Sequence, residues 1–201
     1  MSDYEVRALS SETWDAFVAL CDRHSGGGFG GCYCTWFHRA THSAPSSGEA
    51  PRTADHTRDF KRDLVETDRA HAALVFDGDA AVGWAQYGSP AELPGISHKK
   101  DVQAAGLPQP DWRITCVFVD RRYRGRGIAG IAVEGALELI ARAGGGIVES
   151  YPQDTPGKKV SASFLYNATR STFEQAGFTY ECPKGKNHCI VRKTVPSSAG
   201  H

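Results

Sequence analysis

Val117-Phe118-Val119-Asp120-Arg121-Arg122-Tyr123-Arg124-Gly125-Arg126-Gly127-Ile128-Ala129 is the stretch from which the rest of the chain is best read. An apolar, β-branched run enters a turn with two glycines, and the second glycine opens a helical pattern. At a helix start the first N–H groups lack intrahelical acceptors and point outward with the positive end of the helix dipole. Such a junction binds phosphate through its main chain. Gly125 and Gly127 remove the β-carbons that would keep a diphosphate off the backbone. Arg122, Arg124 and Arg126 add positive charge at the same mouth. Arginines interleaved with glycines also suit a solvated turn or a nucleic-acid contact, so the flanking elements must arbitrate.

Two other phosphate motifs compete. A Walker loop needs Gly-Lys-Ser/Thr after the glycines, and Gly127-Ile128-Ala129 stands there instead. Gly130 completes G-x-G-x-x-G from Gly125, the dinucleotide fingerprint. That fingerprint belongs on the first strand of repeated βαβ units, with an acidic residue about 20 residues on at a strand end. Here the loop lies past the middle of the chain, behind a hairpin pattern. Glu149, the acidic residue downstream, sits inside its strand and is followed by Ser-Tyr-Pro. The location favours a different fold.

Working upstream, Trp112–Val119 is β-branched and aromatic, and apolar on both faces apart from Arg113 and Thr115, the pattern of a central strand. Ser89–Pro110 holds four prolines and little periodicity, so it reads as a long loop. Ala72–Phe76 and Ala81–Tyr87 around Asp77-Gly78-Asp79 read as a hairpin. A helix is expected over Thr57–Thr67 with Phe60, Leu64 and Val65 inward, and residues 39–54 read as a Ser/Pro/Gly-rich loop. Tyr4–Leu9 reads as a strand. A helix capped by Ser10 or Ser11 follows, burying Trp14, Phe17, Val18 and Cys21, and a glycine-rich turn ends it.

Downstream, the helix from Gly127 to about Arg142 buries Ile131, Val133, Leu137, Leu139 and Ile140, and Gly144-Gly145-Gly146 stops it. Ile147–Tyr151 is a strand. A helix from Ser161 or Ser163 through Phe173 is stopped by Gly177. Phe178–Cys182 and His188–Thr194 close the chain, with 196–201 as a frayed tail. The reading is one domain over 1–195, with insertions near 39–54 and 89–110.

Composition agrees with one globular domain. The chain has 201 residues, 40% of them hydrophobic and 23% charged, enough for a sizeable core. Its 23 basic and 23 acidic residues cancel, so no global field draws it to nucleic acid or a membrane. No apolar run reaches the length of a membrane span, and the N-terminus lacks the basic-then-apolar pattern of a signal peptide. The expected compartment is the cytoplasm, and the six cysteines are expected mostly as thiols.

In this setting Arg122-Tyr123-Arg124-Gly125-Arg126-Gly127 resembles the R/Q-x-x-G-x-G/A signature of the GNAT superfamily of acetyl-CoA-dependent N-acetyltransferases. Phe173-Glu174-Gln175-Ala176-Gly177-Phe178 is similar to that family's later motif, and the element order fits nearly the whole chain. The resemblance implies an α+β (three-layer) fold, a mixed, splayed sheet flanked by helices. It implies acetyl-CoA in the splay between strands 112–119 and 147–151, as cosubstrate and without a metal. The pyrophosphate would take amides from Arg124 to Ile128, at the loop Arg122–Gly127 and the first residue of the helix behind it. The pantetheine would lie along Val117, Phe118 and Val119, pairing with the backbone of Val117 and Val119 as an added strand. Asn167 resembles an asparagine that contacts the pantetheine, one place nearer Gly177 than usual.

The family's catalytic residues do not carry over. Strand 112–119 has no carboxylate, and Phe173 stands at the tyrosine position, so it reads as packing. Acyl transfer to an amine needs a base for the nitrogen and an acid or solvent for the thiolate. Glu149 is the candidate base, with pairing to an arginine as its alternative. Tyr166, two turns before Phe173 on the same helix face, could offer its hydroxyl to the cleft, with a tyrosine packed at the rim as its alternative. His98 and Asp111 rank behind them.

Gly31-Cys32-Tyr33-Cys34-Thr35-Trp36-Phe37-His38 is unusual. His24, Cys32, Cys34 and His38 make a poor zinc set, because C-x-C is not the usual spacing and no second pair follows. By position in the fold, Tyr33, Trp36 and Phe37 wall the acceptor pocket, with a core patch as the alternative. The leading function is acetylation of a primary amine on a small molecule by a monomer or homodimer. Acetylation of protein N-termini or lysines, a non-catalytic acyl-CoA-binding module, and, on Gly130, a nicotinamide-binding protein are the alternatives.

Overall fold

The computed structural model describes residues 4–24, 33–39, 54–154 and 167–198. Its strands are β1 (Glu5–Ala8), β2 (His71–Asp77), β3 (Ala80–Gly88), β4 (Trp112–Val119), β5 (Gly146–Ser150), β6 (Thr179–Lys184) and β7 (His188–Val195). They form one sheet in the order β1-β2-β3-β4-β5-β7-β6. Every neighbouring pair is antiparallel except β4–β5, which is parallel. The helices are α1 (Trp14–Asp22), α2 (Ala54–Glu66), α3 (Lys99–Ala104), α4 (Ile128–Arg142) and α5 (Arg170–Gln175).

Two apolar layers cover the sheet. Val82, Ala85, Ile114, Val117 and Val148 face α4 and α5, meeting Ala132, Val133, Ala136, Ile140 and Phe173. Gly83 permits the close approach of α4, because a β-carbon there would lie 2.8 Å from Ile128 Cγ2. On the other face Leu74, Phe76, Trp84 and Cys116 pack on Trp14, Phe17, Leu20 and Cys21 of α1. A smaller cluster of Ile96, Tyr151 and Ile190 gathers the segment around α3.

The β4–β5 junction positions the site. Pairing covers only Trp112–Ile114 against Val148–Ser150. On the β3 side, Tyr87 opposes Ile114 while Gln86 opposes Cys116, which leaves Thr115 as an extra, bulged residue. A bulge bends its strand and increases its twist, and β4 leaves β5 just there. Gln86 Nε2 donates to Thr115 Oγ1 at 3.1 Å, and Lys61 Nζ donates to Gln86 Oε1 at 2.7 Å, bracing the bulge from α2. Beyond it the opening is bridged at Val117 by Asn167.

Several expectations need correction. The stretch 89–110 contains α3. On α1 the buried set includes Leu20, with Val18 only partly covered. On α2 the inward residue beside Leu64 is Lys61, not Phe60. Apolarity misled there: the Lys61 ammonium finds Gln86 and His38 Nε2, while Phe60 lies under the Arg39 guanidinium at 4.4 Å. The last helix begins at Arg170, and Thr169 caps it in an extended conformation with its side chain accepting from Thr172 N–H. Asn167 therefore lies on an extended bridge and not on a helix. Ala168 is left-handed (φ 54). The expected helix start at Ser161 or Ser163, and Tyr166, fall outside the described residues, as do the glycine-rich turn before Cys32, Cys32 itself, most of loop 39–54 and the last residues of the tail.

Candidate active site

A cleft of about 280 Å³ runs from the β4–α4 turn along the open edge of β4. At one end it is lined by Tyr123, Arg124, Gly125, Gly127, Ile128 and Ala129. Gly125 and Gly127 have φ of +76° and +78°, a region that side-chain-bearing residues rarely adopt. A β-carbon at either would meet nothing within 4 Å. Gly127 is the N-cap of α4 and offers no side chain to the first-turn amides. The turn is thus a cradle of main-chain donors with room for a polyanion.

Asp120 shapes that turn. It is fully buried, and its Oδ1 accepts the Arg122 backbone N–H at 2.9 Å. The Arg122 guanidinium folds back on the same carboxylate, with Nη2 2.7 Å from Oδ2. Burial alone would raise the Asp120 pKa. The hydrogen bonds and charge of Arg122, with His24 nearby, outweigh it and hold the carboxyl far below the usual carboxylate range. Arg122 is therefore a clip of the turn, and its side chain is not part of the cleft lining. Arg126 lies over the Tyr123 ring at 5.0 Å, likewise outside the lining, which leaves Arg124 as the arginine of the three that faces the cleft.

The cleft continues past Val117, Phe118 and Val119 to Cys21, His24, Tyr33, Cys34, Trp84 and Cys116. Phe118 stacks on Trp84, with centroids 4.5 Å apart, and His24 meets Phe118 edge-on at 5.1 Å. Tyr33 lines the cleft, its hydroxyl donating to Asp22 Oδ1 at 2.6 Å; burial, then that bond, pushes its pKa well up. Phe37 is core and Trp36 is a largely exposed ring beside it, so neither lines the cleft. Trp84, Cys116 and Asp120 were missed by sequence reading. Only the Asp120-x-Arg122 spacing carried a signal, since a carboxylate two residues before a turn arginine can bind it locally.

Asn167 donates from Nδ2 to the Tyr151 carbonyl at 3.0 Å, and its Oδ1 is buried without a partner. Such an oxygen suits a donor on a ligand. The Val117 edge, given to the pantetheine on sequence grounds, is met here by Asn167.

Glu149 is fully buried on β5 and lies outside the cleft lining. Its Oε1 accepts from Tyr151 OH at 2.5 Å, and its Oε2 accepts from Arg192 Nε at 2.8 Å and from Arg192 Nη2. Arg192 also donates to the Pro108 carbonyl at 2.6 Å. Lys184, buried over the Tyr151 ring at 4.5 Å, donates to Ser97 Oγ, and burial lowers its pKa to about 8. His98 caps α3 and Asp111 Oδ2 accepts from Ile147 N–H, both away from the cleft. His38 Nδ1 donates to the Glu92 carbonyl and its Nε2 accepts from Lys61; burial and the Lys61 charge lower its pKa to about 3. His24 and His38 are thus held in separate networks. Among the described residues no three His, Cys, Asp or Glu converge as metal ligands, and no helix is long and apolar enough to cross a membrane.

Comparison with known proteins agrees with this geometry. A family model described as the acetyltransferase (GNAT) family matches residues 35–155. No curated protein matches the sequence. Among solved structures, an N-acetyltransferase from Staphylococcus aureus Mu50 superposes with a TM-score of 0.54 at 13% identity, covering 96% of this chain and 99% of that one. A GNAT-family acetyltransferase from Streptococcus pneumoniae gives 0.51 at 13% identity, covering 96% and 99%. A ribosomal-protein-S5-alanine acetyltransferase from Vibrio fischeri gives 0.52 at 15%, covering 97% and 94%. At these identities the superpositions speak to the fold.

Proposed function

Because the chain belongs to the GNAT family of acetyltransferases, we propose that it moves the acetyl group of acetyl-CoA to a primary amine on a small molecule. Acetyl-CoA supplies an activated acetyl thioester. The backbone of Arg124–Ile128 holds its diphosphate, with Arg124 adding charge at the mouth. The carrying observation is the pair of left-handed glycines at the head of α4, open to the cleft. The bulge at Thr115 parts β4 from β5 and leaves the arm a channel beside Phe118 and Val119. The buried Asn167 Oδ1 is suited to accept one of the arm's amide N–H groups.

Tyr33, Trp84 and Phe118 form the wall beyond the phosphate cradle, and the modest cleft of about 280 Å³ with its aromatic lining favours a compact acceptor over an extended chain. Glu149 serves as a positioning residue. Tied to Arg192 and Tyr151, it fixes the β5 side of the channel and the Tyr151 carbonyl that orients Asn167. Protein N-termini form the second reading, motivated by the Vibrio fischeri structure's S5-alanine activity.

Thiol release from acetyl-CoA, followed across a panel of small amines and a panel of N-terminal peptides, tests the proposal. Turnover on small amines with none on peptides is expected. Turnover on peptides alone would transfer the assignment to protein acetylation, and tight cofactor binding without turnover on either panel would make the chain a binding module.

A further inference from the structure

Cys34 and Cys116 play no part in the transfer just described. They stand 82 positions apart in sequence, yet their Sγ atoms meet at 2.7 Å, closer than ordinary non-bonded sulfur contact. Both thiols are buried among core side chains, and both line the cleft, so a small solute in the cleft reaches them. The backbone at Cys34 is strained. Tyr33 and Cys34 have φ of 44° and 54°, two consecutive left-handed residues without a glycine between them. Such strain persists where the surroundings enforce it, and it gathers at functional positions. Here Tyr33 OH is fixed on Asp22, and Trp84 Nε1 donates to Cys34 Sγ at 3.1 Å.

We propose that Cys34 and Cys116 form a reversible dithiol–disulfide site, oxidised by a hydroperoxide that enters through the cleft. The Cys34 thiolate attacks the terminal peroxide oxygen, the O–O bond breaks, and the alcohol or water leaves with a proton. Cys34 is then a sulfenic acid. The Cys116 sulfur attacks it, the S–O bond breaks, and hydroxide departs as water with the Cys116 proton. Two thiols have lost two electrons and two protons, and the peroxide has taken them. Cys182 and Cys189 lie outside the cleft lining, and burial raises the pKa of each, that of Cys189 to about 12. Closing the bond draws the 33–34 wall onto β4, beyond the turn proposed to hold the diphosphate. Oxidation should therefore lower transfer to the acceptor and leave acetyl-CoA affinity as it was. This consequence, unlike the disulfide itself, rests on the proposed acetyl transfer.

The test treats the intact protein with stoichiometric hydrogen peroxide, followed by peptide mass mapping without reductant. The expected product is a Cys34–Cys116 cross-linked peptide pair lighter by two hydrogen masses, lost on adding dithiothreitol and absent in Cys116→Ser. A Cys32–Cys34 link, prior oxidation of Cys182, or Cys34 proceeding to sulfinic acid in the wild type would each overturn the site. If the link forms, acceptor turnover is compared before and after reduction, alongside acetyl-CoA affinity. Recovery of turnover by several-fold at constant affinity is expected. Unchanged turnover would overturn the gating, and absence of turnover even when reduced would count against the acetyl-transfer reading, with the disulfide standing.

Discussion

Asp120→Asn keeps the shape of the side chain and removes its charge. In the folded protein Asp120 is fully buried and receives the Arg122 backbone N–H and three guanidinium contacts, at 3.2, 3.2 and 2.7 Å. A hydrogen bond involving a charged group contributes about 1.5–3 kcal/mol net, against about 1 kcal/mol for a neutral one. The Arg122 side chain is 60% exposed, so solvent screens much of the difference. The expected loss is about 1–2 kcal/mol. Because the pair sets the turn that presents the amides of 124–128, a similar penalty falls on acetyl-CoA binding, roughly a tenfold rise in Kd. The pH sign follows from linkage: with its folded pKa depressed, Asp120 contributes stability above the ordinary value of 3.8. That contribution is lost as pH falls through the folded pKa, so the variant should show a shallower acid limb. Urea unfolding at pH 7 and pH 3 with calorimetric titration of acetyl-CoA measures both quantities. Wild-type stability at pH 7 together with wild-type affinity would refute the clip.

Other perturbations separate structure from chemistry. Gly127→Glu should cost about 1–2 kcal/mol of stability, since the left-handed backbone is strained with any side chain but open space awaits the side chain; acetyl-CoA binding should vanish by calorimetry, and retained affinity would remove this residue from the site. Glu149→Gln leaves Arg192 buried without its counter-charge, which should cost about 3 kcal/mol in denaturant unfolding. Its pH–rate profile should keep the wild-type shape, whereas a displaced limb would make Glu149 a base. Lys184 has its folded pKa lowered to about 8 from 10.5, so the folded state releases its proton first and stability rises between those pH values. Lys184→Met should flatten that rise in thermal melts from pH 7 to 11, and an unaltered slope would exclude Lys184 as its origin.

The sheet and the glycine turn at the head of α4 were legible because their causes are local. Trp112–Val119 carries apolar side chains on both faces, and Gly125 and Gly127 stand where backbone geometry demands them. The rest depended on contacts between distant segments. Lys61 reads as a surface residue until Gln86 and His38 are brought to its ammonium. Cys34 and Cys116 give no mutual signal across 82 positions. Glu149 stood out correctly as a lone carboxylate in an apolar strand, but whether it faced the cleft or an arginine depended on β7, which places Arg192 directly opposite it. The Thr115 bulge, which opens the sheet, leaves no mark in composition because its register is set by β3.

A crystal structure with acetyl-CoA bound would measure the central claim most directly. The diphosphate oxygens should lie within hydrogen-bonding distance of main-chain N–H groups in Arg124–Ile128, with the pantetheine arm in the opening beside Val117–Val119. Those amides facing away from the diphosphate, or the cofactor seated elsewhere on the protein, would contradict it.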